Sequence, residues 1–467
     1  MSRLLKPKFI ALCISTALSS AVTAEDLNEA QPEPTSGFAQ ALEQAKQHDP
    51  ELKYAFYNYK AEQEQDNIAL SQLLPSVQLS SSYVKQDIDD YYTQNKASSI
   101  EENQRNRNPA RYAGTQDYYT SQLSIKQSLV NVSAWQAYSS SKDAVRQSQY
   151  TYTRAEQELI YRLSQAYLKA LLAAQQVFIN EEKLESLQLK LDQTSRMSEL
   201  GVGDRLNVLR ATSSRDVARS DLLQAKSRLE DANTQLADLT GGKIDIPLDW
   251  VANGHKVLPV LVEGSEKDWI SKVQDNASLL AESSNVRSKE KDASARSAQH
   301  LPTLDLSLSY VDQNSDDLYK YNENLTASIN LTIPIYSGGR TSAQSRQAEA
   351  SYNAAQARYE KTLSDKKQVV KLAFSQLSSY RERLQALEES RKSSKAFLDA
   401  AERQADLSLG SQVDVLEART ELYDVRLEFA STLSDYLIAD LNLLLETGQL
   451  NEQTLQKFDR LFNQQAN

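Results

Sequence analysis

Two stretches of this chain hold no residue that breaks a helix, and each is longer than most entire helices. From Ser133 to Leu200 there is neither Pro nor Gly over 68 residues, and from Arg340 to Leu409 neither over 70. At 1.5 Å per residue, each run reaches roughly 100 Å as one helix, several times the globular norm. The apolar residues follow a 4-3-4-3 ladder through Leu159, Leu163, Ala166, Ala170, Ala173 and Val177, then Leu184, Leu187 and Leu191, broken only at Asn180. A second ladder steps by seven through Leu416, Tyr423, Ala430, Leu437 and Leu444. A 3.5-residue period predicts left-handed supercoiling against neighbouring helices. An ordinary long coiled coil satisfies the heptads equally well.

Composition narrows the class. With 12 Gly and 10 Pro in 467 residues, the chain has too few turn formers for an all-β protein. Fifty-two basic residues against 63 acidic ones give a net charge of −11, so no nucleic-acid partner is expected. His48, His255 and His300 are scattered and Cys13 is alone, which predicts no metal centre and no internal disulfide. Phosphate-cradling glycine loops are absent, and no nucleophile–His pairing can be argued, so neither an enzyme nor a cofactor is expected.

Residues 1–24 read as a signal peptide: Arg3, Lys6 and Lys8, then an apolar stretch, then Val22-Thr23-Ala24 as a small-residue cleavage site. Cleavage there also removes Cys13; Leu12 stands before it where a lipidated cysteine would want a small residue. The mature chain is thus predicted to be exported and cysteine-free. Its longest apolar helical run, Ala170 to Ile179, includes Gln175 and Gln176, far from the roughly 20 residues of a spanning helix. A membrane, if entered, is entered by strands.

The chain also contains itself twice. Leu73-Leu74-Pro75-Ser76-Val77-Gln78-Leu79 parallels His300-Leu301-Pro302-Thr303-Leu304-Asp305-Leu306 at an offset of 227, which also carries Asp49 onto Asn276. Leu206-Asn207-Val208-Leu209 parallels Val413-Asp414-Val415-Leu416, and Thr240-Gly241 parallels Thr447-Gly448, at an offset of 207. Each half reads helix, strand, loop, strand, long helix, break, helix. The domain plan is a first repeat over 25–240, a linker over 241–268, a second repeat over 269–448 and a tail over 449–467.

The strands alternate with period two. Over Thr303–Val311 and Leu325–Ile335, leucine, isoleucine and tyrosine occupy one face while serine, threonine and asparagine occupy the other. Val77–Val84 and Tyr119–Leu129 alternate less cleanly. About ten such residues suit a half-buried soluble strand or an outer-membrane strand, apolar outside and polar inside. Four strands cannot close a barrel, and an open sheet in lipid strands its edge hydrogen bonds. Three copies give twelve strands, an even number in the barrel range. Tyr83, Tyr91, Tyr92, Tyr118, Tyr119, Tyr310, Tyr319 and Tyr321 gather near the strand ends, as a barrel girdle does.

Three segments then carry a family likeness: His300-Leu301-Pro302-Thr303-Leu304-Asp305-Leu306, Ile333-Pro334-Ile335-Tyr336-Ser337-Gly338-Gly339-Arg340, and Gly410-Ser411-Gln412-Val413-Asp414-Val415-Leu416-Glu417-Ala418. In this order, from about Gly37 to about Thr454, the chain resembles the TolC family of outer-membrane export channels. The resemblance implies an α+β fold. Long coiled-coil hairpins form a periplasmic α-barrel, and four strands per chain contribute to a trimeric twelve-stranded outer-membrane β-barrel. Residues 241–268 and the C-terminal tail would form a belt around the tunnel. It further implies a homotrimer docked through a periplasmic adaptor onto an inner-membrane ABC transporter or proton-driven pump, with export of protein by the type I route slightly favoured over drug efflux.

The resemblance places the gate and the adaptor contacts at the hairpin tips: Gly201, Val202 and Gly203 in one half, Ser408, Leu409 and Gly410 in the other. Asp414 and Glu417, one turn apart, match its acidic ring at the pore entrance, which favours cations. Ser411-x-x-Asp414 is equally a helix-capping box, and the roles are compatible. Asn207 and Gly410 depart from the family's acid and arginine, so the salt bridge that helps latch the entrance cannot form. A periplasmic coiled-coil spacer with a small sheet is the competing class, although a spacer needs neither barrel-length strands nor a duplication.

Overall fold

In a computed structural model of the chain, the described residues are 37–88, 114–244, 246, 264–315, 322–407, 411–451 and 454. The first half comprises α1 (Gly37–His48), α2 (Pro50–Ser71), β1 (Ser76–Ile88), β2 (Gly114–Val130), α3 (Val132–Glu199) and α4 (Arg205–Thr240). The second comprises α5 (Glu266–Ser271), α6 (Ala277–Ala298), β3 (Thr303–Ser315), β4 (Asn322–Thr332), α7 (Arg340–Asp406) and α8 (Gln412–Glu446). The signal segment, most of the linker over 241–268 and most of the tail over 449–467 lie outside the described residues.

The two helix-only runs become single helices of 68 and 67 residues. Asn131 starts α3, its side chain accepting the Ala134 N–H at 2.9 Å, which satisfies one of the orphan amides at a helix start. The predicted ladder is buried at Leu159, Leu163, Ala166, Ala170, Ala173 and Leu187, and Asn180 sits in the same seam, its amide donating to the Gln176 carbonyl at 2.7 Å. No helix among the described residues is long and apolar enough to cross a membrane.

The four strands form one antiparallel sheet in the order β1-β2-β3-β4, leaving β1 and β4 as edges. Directly opposed residues share a face, so the register builds rows across the sheet. Val77, Ile125, Leu308 and Ala327 make one row, and Leu79, Leu123, Tyr310 and Leu325 the next on the same face. The other face carries Ser76, Lys126, Ser307 and Ser328 in one row and Gln78, Ser124, Ser309 and Thr326 in the next. Tyr83 and Tyr119 pack on the apolar side with centroids 5.0 Å apart; Tyr91, Tyr92, Tyr319 and Tyr321 lie outside the described residues.

Strand limits differ from the sequence reading at both ends of the pattern. β4 stops at Thr332 although the alternation runs to Ile335, because Pro334 has no N–H to give a ladder. The first-half strands run longer, with Asp87 facing Thr115 and Ile88 facing Gly114. Gln86 with Gln116 and Asp87 with Thr115 are polar positions, and hydrophobic alternation does not register them.

The main core lies part-way along the long helices, where Phe38, Leu163, Tyr167, Leu171, Leu236, Trp269, Leu377, Phe429 and Leu441 are buried together. Each such side chain contributes about 1.5–3 kcal/mol. Towards the tips the apolar contacts shrink to two small, alanine-rich clusters.

At the edge of this core sit two equivalent joints. Gly241 has φ +72°, and a Cβ there would come within 2.7 Å of the His48 ring. Gly448 has φ +70°, and its Cβ would fall 2.2 Å from the Asp275 carbonyl oxygen. Only glycine meets both demands. The residues that follow, Asp49 and Asn276, cap α2 and α6.

Candidate functional site

At the first tip, α3 closes with a hydrogen-bonded reversal. The Gly201 N–H donates to the Ser198 carbonyl at 3.1 Å and the Val202 N–H to the Met197 carbonyl at 3.0 Å, the paired bonds of a Schellman ending. Gly201 supplies the φ of +75° that this ending needs. Gly203 answers a different demand: a Cβ there would lie 2.8 Å from the Ser198 backbone nitrogen. Asp204 then caps α4 by accepting the Leu206 N–H at 3.1 Å. Leu200, Val202, Leu206 and Leu209 are all exposed around this turn.

At the second tip, Ser408, Leu409 and Gly410 lie outside the described residues. Ser411 begins α8, with its hydroxyl oxygen accepting the Val413 N–H at 3.1 Å and the Asp414 carboxylate accepting the Ser411 N–H at 3.3 Å. The capping box is therefore formed. Asp414 and Glu417 are exposed, while Val415, Leu416 and Ala418 on the other side of the helix are buried. Both carboxylates thus stand on one open face. Asn207, half-buried in the first turn of α4, corresponds to Asp414, and exposed Arg210 corresponds to Glu417.

A set of contacts above the tips escaped the sequence reading. Lys183 of α3 is almost fully buried and bridges Asp221 of α4 at 3.5 Å and Asp424 of α8 at 3.2 Å. Arg426 reaches Glu182 at 2.7 Å, and the Tyr423 hydroxyl donates to the Glu182 carbonyl at 3.3 Å. Arg419 binds both Ser186 of α3 and Glu402 of α7. Arg419, Tyr423 and Arg426 recur every three or four positions and so form one stripe, and with Asp424 beside it they fasten the second hairpin to the first. The only signal was a lysine between Asn180 and Leu187 on the heptad seam.

Beside the Gly448 joint, Glu446 is buried among charges. It accepts from Arg154 at 2.9 Å, from Lys366 at 2.7 Å and from the Asn276 amide at 3.1 Å. Burial pushes its carboxyl upward, but Arg154 and Lys366 outweigh that and hold it below the usual range. Asp440, six residues earlier on α8, forms no ion pair among the described residues, and burial raises it to about 6. No group of acids, histidines or cysteines among the described residues is arranged to hold a metal ion.

Comparison with known proteins agrees with this geometry. The profile of the outer membrane efflux protein family matches residues 41–242 and again 269–449. Outer membrane protein TolC of Vibrio cholerae is 28% identical over 466 residues, covering 97% of each chain. The proteases secretion protein PrtF of Dickeya chrysanthemi is 26% identical over 432 residues, covering 91% of each. Among solved structures, the outer membrane protein VceC of Vibrio cholerae superposes with a TM-score of 0.72 at 18% identity, covering 88% of this chain and 96% of its own. Two profile matches, one in each half, cover most of the chain and fall on the duplicated helix–strand–helix units. The chain belongs to the outer membrane efflux protein family, channels of the outer membrane rather than enzymes.

Proposed function

We propose that three copies of the mature chain, freed of residues 1–24, assemble into a passive export conduit. The sheet supports this reading most directly: it has two unpaired edges, one apolar face and one polar face. In lipid those edges must pair. Joining β4 of one copy to β1 of the next closes twelve strands, with the leucine rows outward. β4 runs from Asn322 to Thr332, and its ten residue steps, tilted as barrel strands are, rise about 25 Å, the height of an outer-membrane apolar band.

The helices then line a tunnel into the periplasm, with 241–268 and the tail as its belt. Asp414 and Glu417 of three copies place six carboxylates at the entrance. Gly201, Val202 and Gly203, with Ser408, Leu409 and Gly410, are the surface offered to a periplasmic adaptor. Because Asn207 and Gly410 cannot form the family's salt bridge, the contacts of Arg419, Asp424 and Arg426 hold the entrance closed in its place. Energy comes from the inner-membrane partner.

Type I protein secretion is the favoured system, supported by the likeness to a proteases secretion protein. Multidrug efflux is the second reading, supported by the match to the outer membrane efflux protein family. In-cell crosslinking followed by pull-down distinguishes them. An ABC transporter with an adaptor is the expected result; a proton-driven pump would assign the chain to drug efflux. Recovery of neither, with the chain soluble in the periplasm, would leave only a coiled-coil spacer.

A further inference from the structure

The polar face of the sheet is almost free of charge. Across β1 it presents Ser76, Gln78, Ser80 and Ser82; across β2, Thr120, Gln122, Ser124, Lys126 and Ser128; β3 and β4 add serine, threonine and asparagine. Among the described residues its only ionised side chains are Lys126 and Asp305.

Lys126 is placed to act. It is exposed, and every residue opposed to it in its row is a serine. Those hydroxyls are engaged elsewhere: Ser307 and Ser328 hydrogen-bond each other at 2.7 Å, and Ser76 donates to the Lys126 backbone carbonyl. Asp305 lies one row further towards the helices, opposite Ser128. Its side chain is short, and no ion pair joins it to Lys126 among the described residues.

From these placements we infer that Lys126 is a second charge-selecting residue of the conduit, a cationic ring inside the barrel opposite in sign to the acids at the periplasmic entrance. The inference rests on the trimeric conduit proposed above. Twelve tilted strands about 4.8 Å apart close at a radius of about 12 Å. A lysine stem of about 6 Å brings each ammonium to about half that radius, so the three stand roughly 10 Å apart. That equals about one Debye length at 0.1 M salt, so their fields overlap across the lumen. Asp305, held at the wall, offsets them only in part. Anions meet an attraction there that the hydroxyl lining does not supply, and the ring works against the cation preference set at the tips.

The test is the reversal potential of the purified trimer in a planar bilayer under a potassium chloride gradient. Lys126→Gln should raise the cation-over-anion permeability ratio about two- to fivefold at low salt. Lys126→Arg should keep the wild-type ratio, and Asp305→Asn should lower it. An unchanged ratio in Lys126→Gln at wild-type conductance would overturn the inference, as would an equal shift in Lys126→Arg, because that reports a disturbed wall rather than lost charge. Failure of the wild-type chain to form trimers or channels would instead overturn the conduit reading beneath it.

Discussion

The joints at Gly241 and Gly448 have the same backbone and different chemistry. In the first half, Asp49 caps α2 and takes Arg162 of α3 at 3.2 Å. In the second, Asn276 caps α6 with its oxygen and uses its amide to donate to the Glu446 carbonyl at 2.9 Å and to the Glu446 carboxylate. A carboxylate can only accept, whereas an amide does both. Duplication therefore preserved the turn while the second copy became the site of a buried ionic cluster. The halves diverge in the same direction along α8: Asp440 stands where α4 has Asn233, and Glu446 where it has Leu239.

Exchanging the caps should expose this difference most sharply. Asn276→Asp sets a second carboxylate against Glu446 where both side chains are buried, and should cost about 3–5 kcal/mol. Asp49→Asn keeps its cap and loses only a part-exposed pair, costing about 1 kcal/mol. Thermal unfolding of the two purified variants gives the ratio, and equal losses would erase the distinction between the joints.

Glycine replacement should rank next. Gly448→Ala meets a backbone carbonyl that cannot move aside, and about 3 kcal/mol is expected; Gly241→Ala meets a His48 ring that can rotate, leaving the roughly 1–2 kcal/mol of a left-handed alanine. Denaturant midpoints at constant slope would check the order.

Acid titration gives a smaller and signed effect. Asp440 is raised to about 6 in the folded chain, so the fold binds its proton more tightly than the unfolded chain does. Stability from this group is full below about pH 4 and falls as pH rises through 6, by about 2–3 kcal/mol. Glu446, held low, acts oppositely: its contribution is present above about pH 4.5 and is lost as pH falls below that. Asp440→Asn, which restores the first-half residue, should flatten the pH 4–6 slope and leave the acid limb intact. A slope unchanged by that substitution would assign it to another group.

The tips should show the least effect on stability and a clear one on conduction. Asp414→Asn with Glu417→Gln should move the melting temperature by only a few degrees, since capping is worth about 1 kcal/mol, yet should remove most of the cation preference in bilayer recordings. Retained preference would reduce the pair to a helix cap.

The duplication, the two long helices and the four strands were legible in the sequence because each rests on a repeated pattern: absent breakers, period 3.5 or period two. Polar strand ends were not legible, since Asp87 and Thr115 pair through backbone groups that carry no hydrophobic signature. Nor were Lys183, Arg419 and Arg426, each of which has a partner on a helix distant in the chain: Asp424, Ser186 and Glu182. At the second tip, Ser411 and Asp414 were readable as a cap from local spacing, while the open face that Asp414 and Glu417 share follows from which side of α8 packs inward through Val415, Leu416 and Ala418.

The closure of the barrel can be tested directly by pairing one cysteine in each sheet edge. Gln78→Cys in β1 and Thr326→Cys in β4 stand on the polar face at opposite edges of one sheet, and Cys13→Ser removes the one native cysteine. A bifunctional thiol reagent added to outer membranes should yield a ladder of one, two and three chains that stops at three. Bands beyond three chains, or monomer alone in the doubly substituted protein, would contradict the trimeric barrel.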